Sequence, residues 1–322
     1  MSESSCCDEQ EDSKVTREDV RDFYSKAALE AQDSLCCPAE YDESNLSHIP
    51  EEVRAISYGC GSPVDRAGLR QGETMVDLGS GGGIDCFIAS KLVGASGRVI
   101  GVDMTEAMLK KASLNAEKVA KNLGYGNVEF KQGFLEKIPV EDDAANLVTS
   151  NCVLNLSVSK AEVFKEIKRI LKPGGRFVIA DIISDRAAPQ HMRDNRELWG
   201  ECASGAMTLK EFIDMTRAIG FHGISLKKDY LWKIIEGIKF YSYTLTAYAP
   251  DPGESSCCSS LMAAYNGPFE SIVCNGQEFR VGEDVEVDEA TVKILGDAPY
   301  AGHFTITDPE TEAPSDGDSC CN

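Results

Sequence analysis

Apolar positions along this chain follow two periods, and the period switches repeatedly. The runs 74–78, 98–102, 128–131, 146–150 and 177–182 are short and mostly apolar, as strands buried on both faces are. Between them the apolar residues fall three and four apart. Ile84, Phe87, Ile88 and Leu92 make one such stripe, Met108, Leu109, Ala112, Ala116 and Val119 a second, and Val163, Phe164, Ile167 and Ile170 a third. That spacing puts each set on one face of a helix. Strand alternating with helix calls for an α/β fold: a doubly wound parallel sheet covered by helices, with ligands at the carboxyl ends of the strands.

The flanking pattern divides the chain further. Residues 1–14 are polar and acidic and predict a disordered tail. Residues 15–72 predict a lid helix followed by cysteine-bearing loops. Thr16 and Asp19 form a weak capping box ahead of Val20, Phe23, Tyr24, Ala27 and Ala28. Residues 33–50 read as a long surface loop carrying Cys36 and Cys37, and 51–56 as a short helix. The cofactor-binding core is placed at 73–184. Residues 185–250 predict a helix over 189–207, a second helix opened by the capping box Thr208 and Glu211, and two closing strands at 225–232 and 240–248. Composition changes after Pro250. Residues 251–322 predict a small acidic, β-rich appendage, with a hairpin across Asn275-Gly276 and further strands at 285–287, 292–295 and 304–307. It is short for a free-standing fold and is expected to dock on the main domain.

Charge narrows the function. The net charge is -21 over 322 residues, and from Asp251 onward fifteen Asp and Glu face only Arg280 and Lys293. An acid excess argues against nucleic acid as substrate, whose phosphates need Lys and Arg. No run approaches the roughly 20 apolar residues of a membrane span. The amino terminus has neither a basic region nor an apolar core, so the expected compartment is the cytoplasm.

The first predicted strand runs straight into Gly79-Ser80-Gly81-Gly82-Gly83. Glycines there let the backbone approach a nucleoside-bearing ligand. They fall every second residue, and the place where G-x-G-x-x-G needs its last glycine holds Ile84, which disfavours a dinucleotide. Asp103 ends the second strand, placed to take both ribose hydroxyls. With Leu171-Lys172-Pro173-Gly174-Gly175-Arg176-Phe177, these stretches resemble the class I S-adenosylmethionine (SAM) methyltransferases, a Rossmann-like fold. In that reading Gly79, Ser80 and Gly81 pass beneath the methionine portion, Phe134 and Leu135 border the adenine, and Asn151 lies near the sulfonium.

Thirteen cysteines stand in the chain, eight of them in the adjacent pairs Cys6-Cys7, Cys36-Cys37, Cys257-Cys258 and Cys320-Cys321. No CxxC occurs, and the four histidines lie apart from the other cysteines, so zinc has no obvious tetrahedral set. Cys60, Cys152 and Cys202 each fall where the fold brings them toward the carboxyl edge of the sheet. Three thiolates around one centre suit a soft, trivalent, pyramidal ion. Cys86 and Cys274 read as structural.

Six stretches sharpen this: Tyr58-Gly59-Cys60-Gly61, Asp77-Leu78-Gly79-Ser80-Gly81, Asp85-Cys86, Val102-Asp103-Met104-Thr105, Ser150-Asn151-Cys152-Val153-Leu154-Asn155-Leu156 and Leu198-Trp199-Gly200-Glu201-Cys202. Over residues 15 to 250 the chain resembles the arsenite methyltransferases. The resemblance implies arsenic(III) held by Cys60, Cys152 and Cys202, with Tyr58, Asp77 and Met104 among the cofactor residues. It also implies a redox-active cysteine in the amino-terminal loop, either Cys36 or Cys37. Arsenic on three thiolates keeps a lone pair that can attack the SAM methyl, so no general base is required. Methylation formally oxidises arsenic, and a disulfide between Cys36 or Cys37 and Cys60 would restore it, with thioredoxin or glutathione resetting the enzyme. Capture of a soft ion by the other cysteine pairs is a further expectation. Two competing readings are a SAM enzyme methylating carbon or oxygen of an organic molecule such as a quinone precursor, and a thiol-rich protein that sequesters arsenite without turnover.

Overall fold

The computed structural model describes residues 16, 18–21, 24, 41–54, 59–251, 261–297 and 299–307. Its main sheet contains β1 (Thr74–Leu78), β2 (Arg98–Asp103), β3 (Val128–Gln132), β4 (Ala145–Asn151), β5 (Leu171–Ser184), the short β6 (Met207–Thr208), β7 (His222–Ile235) and β8 (Ile238–Tyr248). The strands lie in the order β3-β2-β1-β4-β5-β8-β7, with β6 beside the end of β5. The first five are parallel. The closing pair β7 and β8 is antiparallel, and β8 runs against β5.

This topology creates the site. Strand order reverses direction between β1 and β4, and connections leave their carboxyl ends toward opposite faces. A crevice opens there, as it does at the switch point of any doubly wound sheet. Alternate residues of the central strands supply the two cores. Val76 and Leu78 pack with Ile100, Phe164 and Phe177 on one face. Met75 packs with Phe87, Ile88, Leu147 and Val178 on the other. Of the stripes their spacing announced, the helices Ile84–Val93, Glu106–Leu123 and Lys160–Ile170 bury Phe87 and Ile88, then Met108, Ala112 and Val119, then Val163, Phe164, Ile167 and Ile170; Ile84, Leu92, Leu109 and Ala116 are half-buried.

Two expectations are corrected. The single helix over 189–207 is broken into Gln190–Arg193 and Arg196–Gly200, followed by irregular chain and β6. Cys202 adopts φ 65°, a left-handed conformation that ends a right-handed helix. The strand at 292–295 is instead part of the helix Glu289–Gly296. Its signal is Asp288, whose Oδ1 accepts the Thr291 N–H at 2.7 Å and caps the first turn.

Beyond residue 260, β9 (Leu261–Tyr265) pairs with β12 (Asp284–Val287) and β13 (Phe304–Thr307), while β10 (Ser271–Cys274) and β11 (Gln277–Arg280) make the hairpin. These elements enclose a core of their own, with Tyr265, Phe279, Val287 and Leu295 at its centre. The unit docks through Asp284, which pairs with Arg217 at 2.7 Å and accepts the Ile224 N–H at 3.3 Å. Among the described residues no helix is long and apolar enough to cross a membrane.

Candidate functional site

β1 delivers the chain into a turn whose conformation only glycine adopts at low cost: Gly79, Gly81 and Gly83 have φ of 70°, 50° and 90°. At Gly79 a side chain would collide with the methyl groups of Val153. The turn is tied to β2, since the Gly79 and Ser80 N–H groups both donate to Val102 O, at 2.8 and 3.0 Å. The Gly81 N–H donates to Asp103 Oδ2 at 2.9 Å and the Thr105 N–H to Oδ1 at 2.8 Å. Each Asp103 oxygen keeps a lone pair, so a ligand diol can be accepted while the loop stays fixed. Burial raises the Asp103 pKa above its ordinary value.

Two further carboxyls lie under the same cavity. Asp77 Oδ1 accepts from Thr149 Oγ1 at 2.7 Å and Oδ2 from Cys86 Sγ at 3.6 Å. Burial pushes Asp77 up to about 7 against those donors. Asp85 accepts at Oδ2 from Asn151 Nδ2 (3.2 Å) and Tyr41 OH (3.4 Å). Among the described residues its Oδ1, and Ser80 Oγ, are buried without a hydrogen-bond partner. Burial first, and the Asp77 charge second, raise the Asp85 pKa well above its ordinary value. Buried acceptors without donors mark a place completed by a ligand. A cofactor with a ribose diol and an ammonium or sulfonium charge fits that donor-poor, acid-rich floor, and SAM has all three. Phe134 and Leu135 line the far wall, and Met104 the cavity beside Asp103.

The thiols gather at the other end. Cys152 follows β4 directly at φ 55°, with its N–H on Ala180 O at 2.8 Å. Cys60 is wholly buried, and its sulfur is joined to that of Cys152, the Cα atoms 5.8 Å apart. Ser242 Oγ and Tyr230 OH donate to Cys60 O at 2.6 and 3.2 Å. Cys202 Sγ donates to Cys152 O at 3.2 Å. Cys60 Sγ, Cys152 Sγ and one Asp181 oxygen lie within 4.8 Å of one another. Cys152 and Cys202 line the cavity shared with the glycine turn.

All the expected cofactor residues within the described chain line this cavity: Asp77, Gly79, Ser80, Gly81, Asp103, Met104, Phe134, Leu135 and Asn151. Tyr58, Cys36 and Cys37 lie outside the described residues. The expected pairing of Cys36 or Cys37 with Cys60 lies outside the described residues, within which Cys60 is joined to Cys152. Cys86 and Cys274 are buried free thiols. Burial, then the Asp77 charge, raises the Cys86 pKa well above its ordinary value, so that thiol is held neutral.

Sequence reasoning missed Asp181. It reads as one polar residue in an apolar strand, and a charge inside a buried strand was the available signal. Asp181 accepts from Ile182 N (2.7 Å), Asn155 N (3.2 Å) and Asn155 Nδ2 (2.8 Å). Burial still pushes it up to about 6. Nearby Lys160 is drawn down to about 8 by burial while donating to Ser157 O at 3.1 Å. Tyr24, part of the apolar stripe of the predicted lid helix, also lines the cavity and donates to Gly200 O at 3.1 Å. Burial, then the neighbouring Cys202 thiol, raises its pKa well above the ordinary value.

Comparison with known proteins agrees with this geometry. Residues 69–237 match the methyltransferase domain family, and residues 254–322 match a domain family of unknown function. The arsenite methyltransferase of Aquipseudomonas alcaligenes is 32% identical over 311 residues, covering 89% of each chain. The human arsenite methyltransferase is 30% identical over 328 residues, covering 94% of this chain and 86% of that one. The crystal structure of an arsenic(III) SAM methyltransferase from Chlamydomonas reinhardtii superimposes with a TM-score of 0.62 at 33% identity, covering 84% of this chain and 97% of that one. A glycine turn built for a nucleoside, a thiol cluster at its edge and this likeness along most of the sequence place the chain in the arsenite methyltransferase family.

Proposed function

We propose that this protein transfers methyl groups from SAM to arsenic(III) held by Cys60, Cys152 and Cys202. The observation that carries the reading is the convergence of Cys60 and Cys152, 92 residues apart in sequence, beside Cys202 on the wall of the cofactor cavity. Bound SAM supplies an electrophilic methyl group. Asp103 would take the ribose, and the carboxyls of Asp77 and Asp85 would hold the cationic groups. The reduced thiols displace hydroxide from arsenite, each thiol proton leaving in water, and soft thiolate replaces hard oxygen. Arsenic then attacks the methyl carbon with its lone pair, which is why the thiol end lacks a required base. The residues of the site aim that lone pair, which is a matter of orientation.

Methyl transfer formally raises arsenic by two oxidation units. Two thiolates return two electrons, closing a disulfide and leaving trivalent methylarsenic. Cys60 and Cys152 are one pair close enough to do so; Cys36 or Cys37 with Cys60 is the other. An external dithiol, thioredoxin or glutathione then reopens the bond by exchange. A reducing cytoplasm is the compartment that suits this cycle.

A single-turnover assay with reduced protein, arsenite, thiol and SAM tests the reading. Methylated arsenicals should form, and Cys152→Ser and Cys202→Ser should abolish them while SAM binding persists. Cofactor binding without methylarsenicals in the parent protein would overturn the assignment and turn attention to organic acceptors.

A further inference from the structure

Asn151 ends β4, immediately before Cys152, and its side chain is 8% exposed. Its amide is engaged by the protein on both sides. Oδ1 accepts the Cys60 N–H at 3.0 Å, and Nδ2 donates to Gly61 O at 2.8 Å and to Asp85 Oδ2 at 3.2 Å. Tyr41 OH lies within reach of the same Nδ2 at 3.4 Å, so the two protons of the NH2 group are shared among three protein acceptors. The 59–61 backbone is wrapped on this amide so closely that a Cβ on Gly59 would come 2.6 Å from Nδ2. From the opposite side, Ser242 Oγ holds Cys60 O at 2.6 Å.

We propose that Asn151 is a positioning residue for the thiol pair rather than a polar contact to the cofactor. One residue then fixes both sulfurs: Cys152 is its neighbour along the chain, and Cys60 hangs from its side-chain amide. The inference rests on the reading that Cys60 and Cys152 bind arsenic.

Asn151→Ala is the variant to measure, with three readouts. Arsenite affinity of the reduced protein should fall about tenfold, the scale of losing buried hydrogen bonds that orient a ligand. The SAM dissociation constant, followed by tryptophan fluorescence, should weaken by no more than about threefold, since Asn151 reaches the cofactor floor only through Asp85 Oδ2 at 3.2 Å. The rate of Cys60–Cys152 bond formation, mapped by peptide mass after adding the azo oxidant diamide, should also fall about tenfold. In that step the two thiols give up two electrons and two protons, and diamide becomes its hydrazine. A SAM constant that weakens as much as the arsenite constant overturns the proposal, as does an unchanged rate of bond formation. Gly59→Ala keeps the amide but drives a methyl into it, should give the same pattern, and decides the matter if Asn151→Ala fails to fold. Failure of the parent itself to capture arsenite would sink the proposed function and leave the bond-formation test standing.

Discussion

At the scale of single residues, the site is made by placing groups where they are uncomfortable. Asp77 sits beneath the cofactor cavity with a pKa of about 7, driven up by burial. The folded state therefore keeps a proton that the unfolded chain releases near the ordinary carboxyl value. Its contribution to stability is complete below about pH 4 and is lost as pH rises through about 7. A shift of that size corresponds to at most on the order of 4 kcal/mol. Asp77→Asn removes the titration while keeping an acceptor for Thr149 Oγ1. Denaturant unfolding at pH 5 and pH 8 should show the variant gaining on the parent at the higher pH. An unchanged difference between the two proteins would mean that Asp77 is ionised throughout.

At the scale of elements, the sequence exposed the frame and hid the joints. The five parallel strands and the helices Ile84–Val93, Glu106–Leu123 and Lys160–Ile170 were legible because their burial repeats with a period the side chains must obey. The helix Glu289–Gly296 was misread, since Val292, Ile294 and Leu295 also suit a strand and only the Asp288 cap decides between them. Asp288→Ala should destabilise that helix by about 1 kcal/mol, seen as an earlier denaturation of the C-terminal unit. The stretch 189–207 was misread because a left-handed cysteine leaves no trace in an apolar pattern. Asp103 and the glycine turn were legible from spacing. Asp181 was not, because its role depends on which strand lies beside which. The Cys60–Cys152 convergence likewise joins residues on separate elements, and no local pattern announces it.

At the scale of the whole molecule, the C-terminal unit is fastened to the main domain in part by polar contacts. The C-terminal unit has its own cluster around Tyr265 and Phe279. Its hold on the main domain includes the Arg217–Asp284 pair, whose side chains are 24% and 10% exposed, and the Leu226 N–H on Glu283 at 3.2 Å. Asp284→Ala leaves Arg217 and the Ile224 N–H without that carboxylate, a loss of about 1–3 kcal/mol at the seam. Calorimetry should then resolve two transitions, the C-terminal one melting first; a single transition at the parent temperature would show the seam to be held by other contacts. The net charge of -21 resides mostly in this part of the chain, so the loosened unit should be more sensitive to low salt.

The Cys60–Cys152 bond encloses 92 residues of sequence, spanning the first strands and their helices. Cross-links around loops of that length restrict the unfolded chain and favour the folded one by about 4.6 kcal/mol in the chain-entropy account. Reduction withdraws that help and, in the proposed mechanism, frees the sulfurs for arsenic. On that mechanism durability and readiness run in opposite directions: the protein resists heat best while it cannot work, and it becomes able to work by becoming easier to unfold. Thermal melts of the oxidised and reduced forms should differ in that order, and bound arsenic, bridging the same sulfurs, should restore much of what reduction removes.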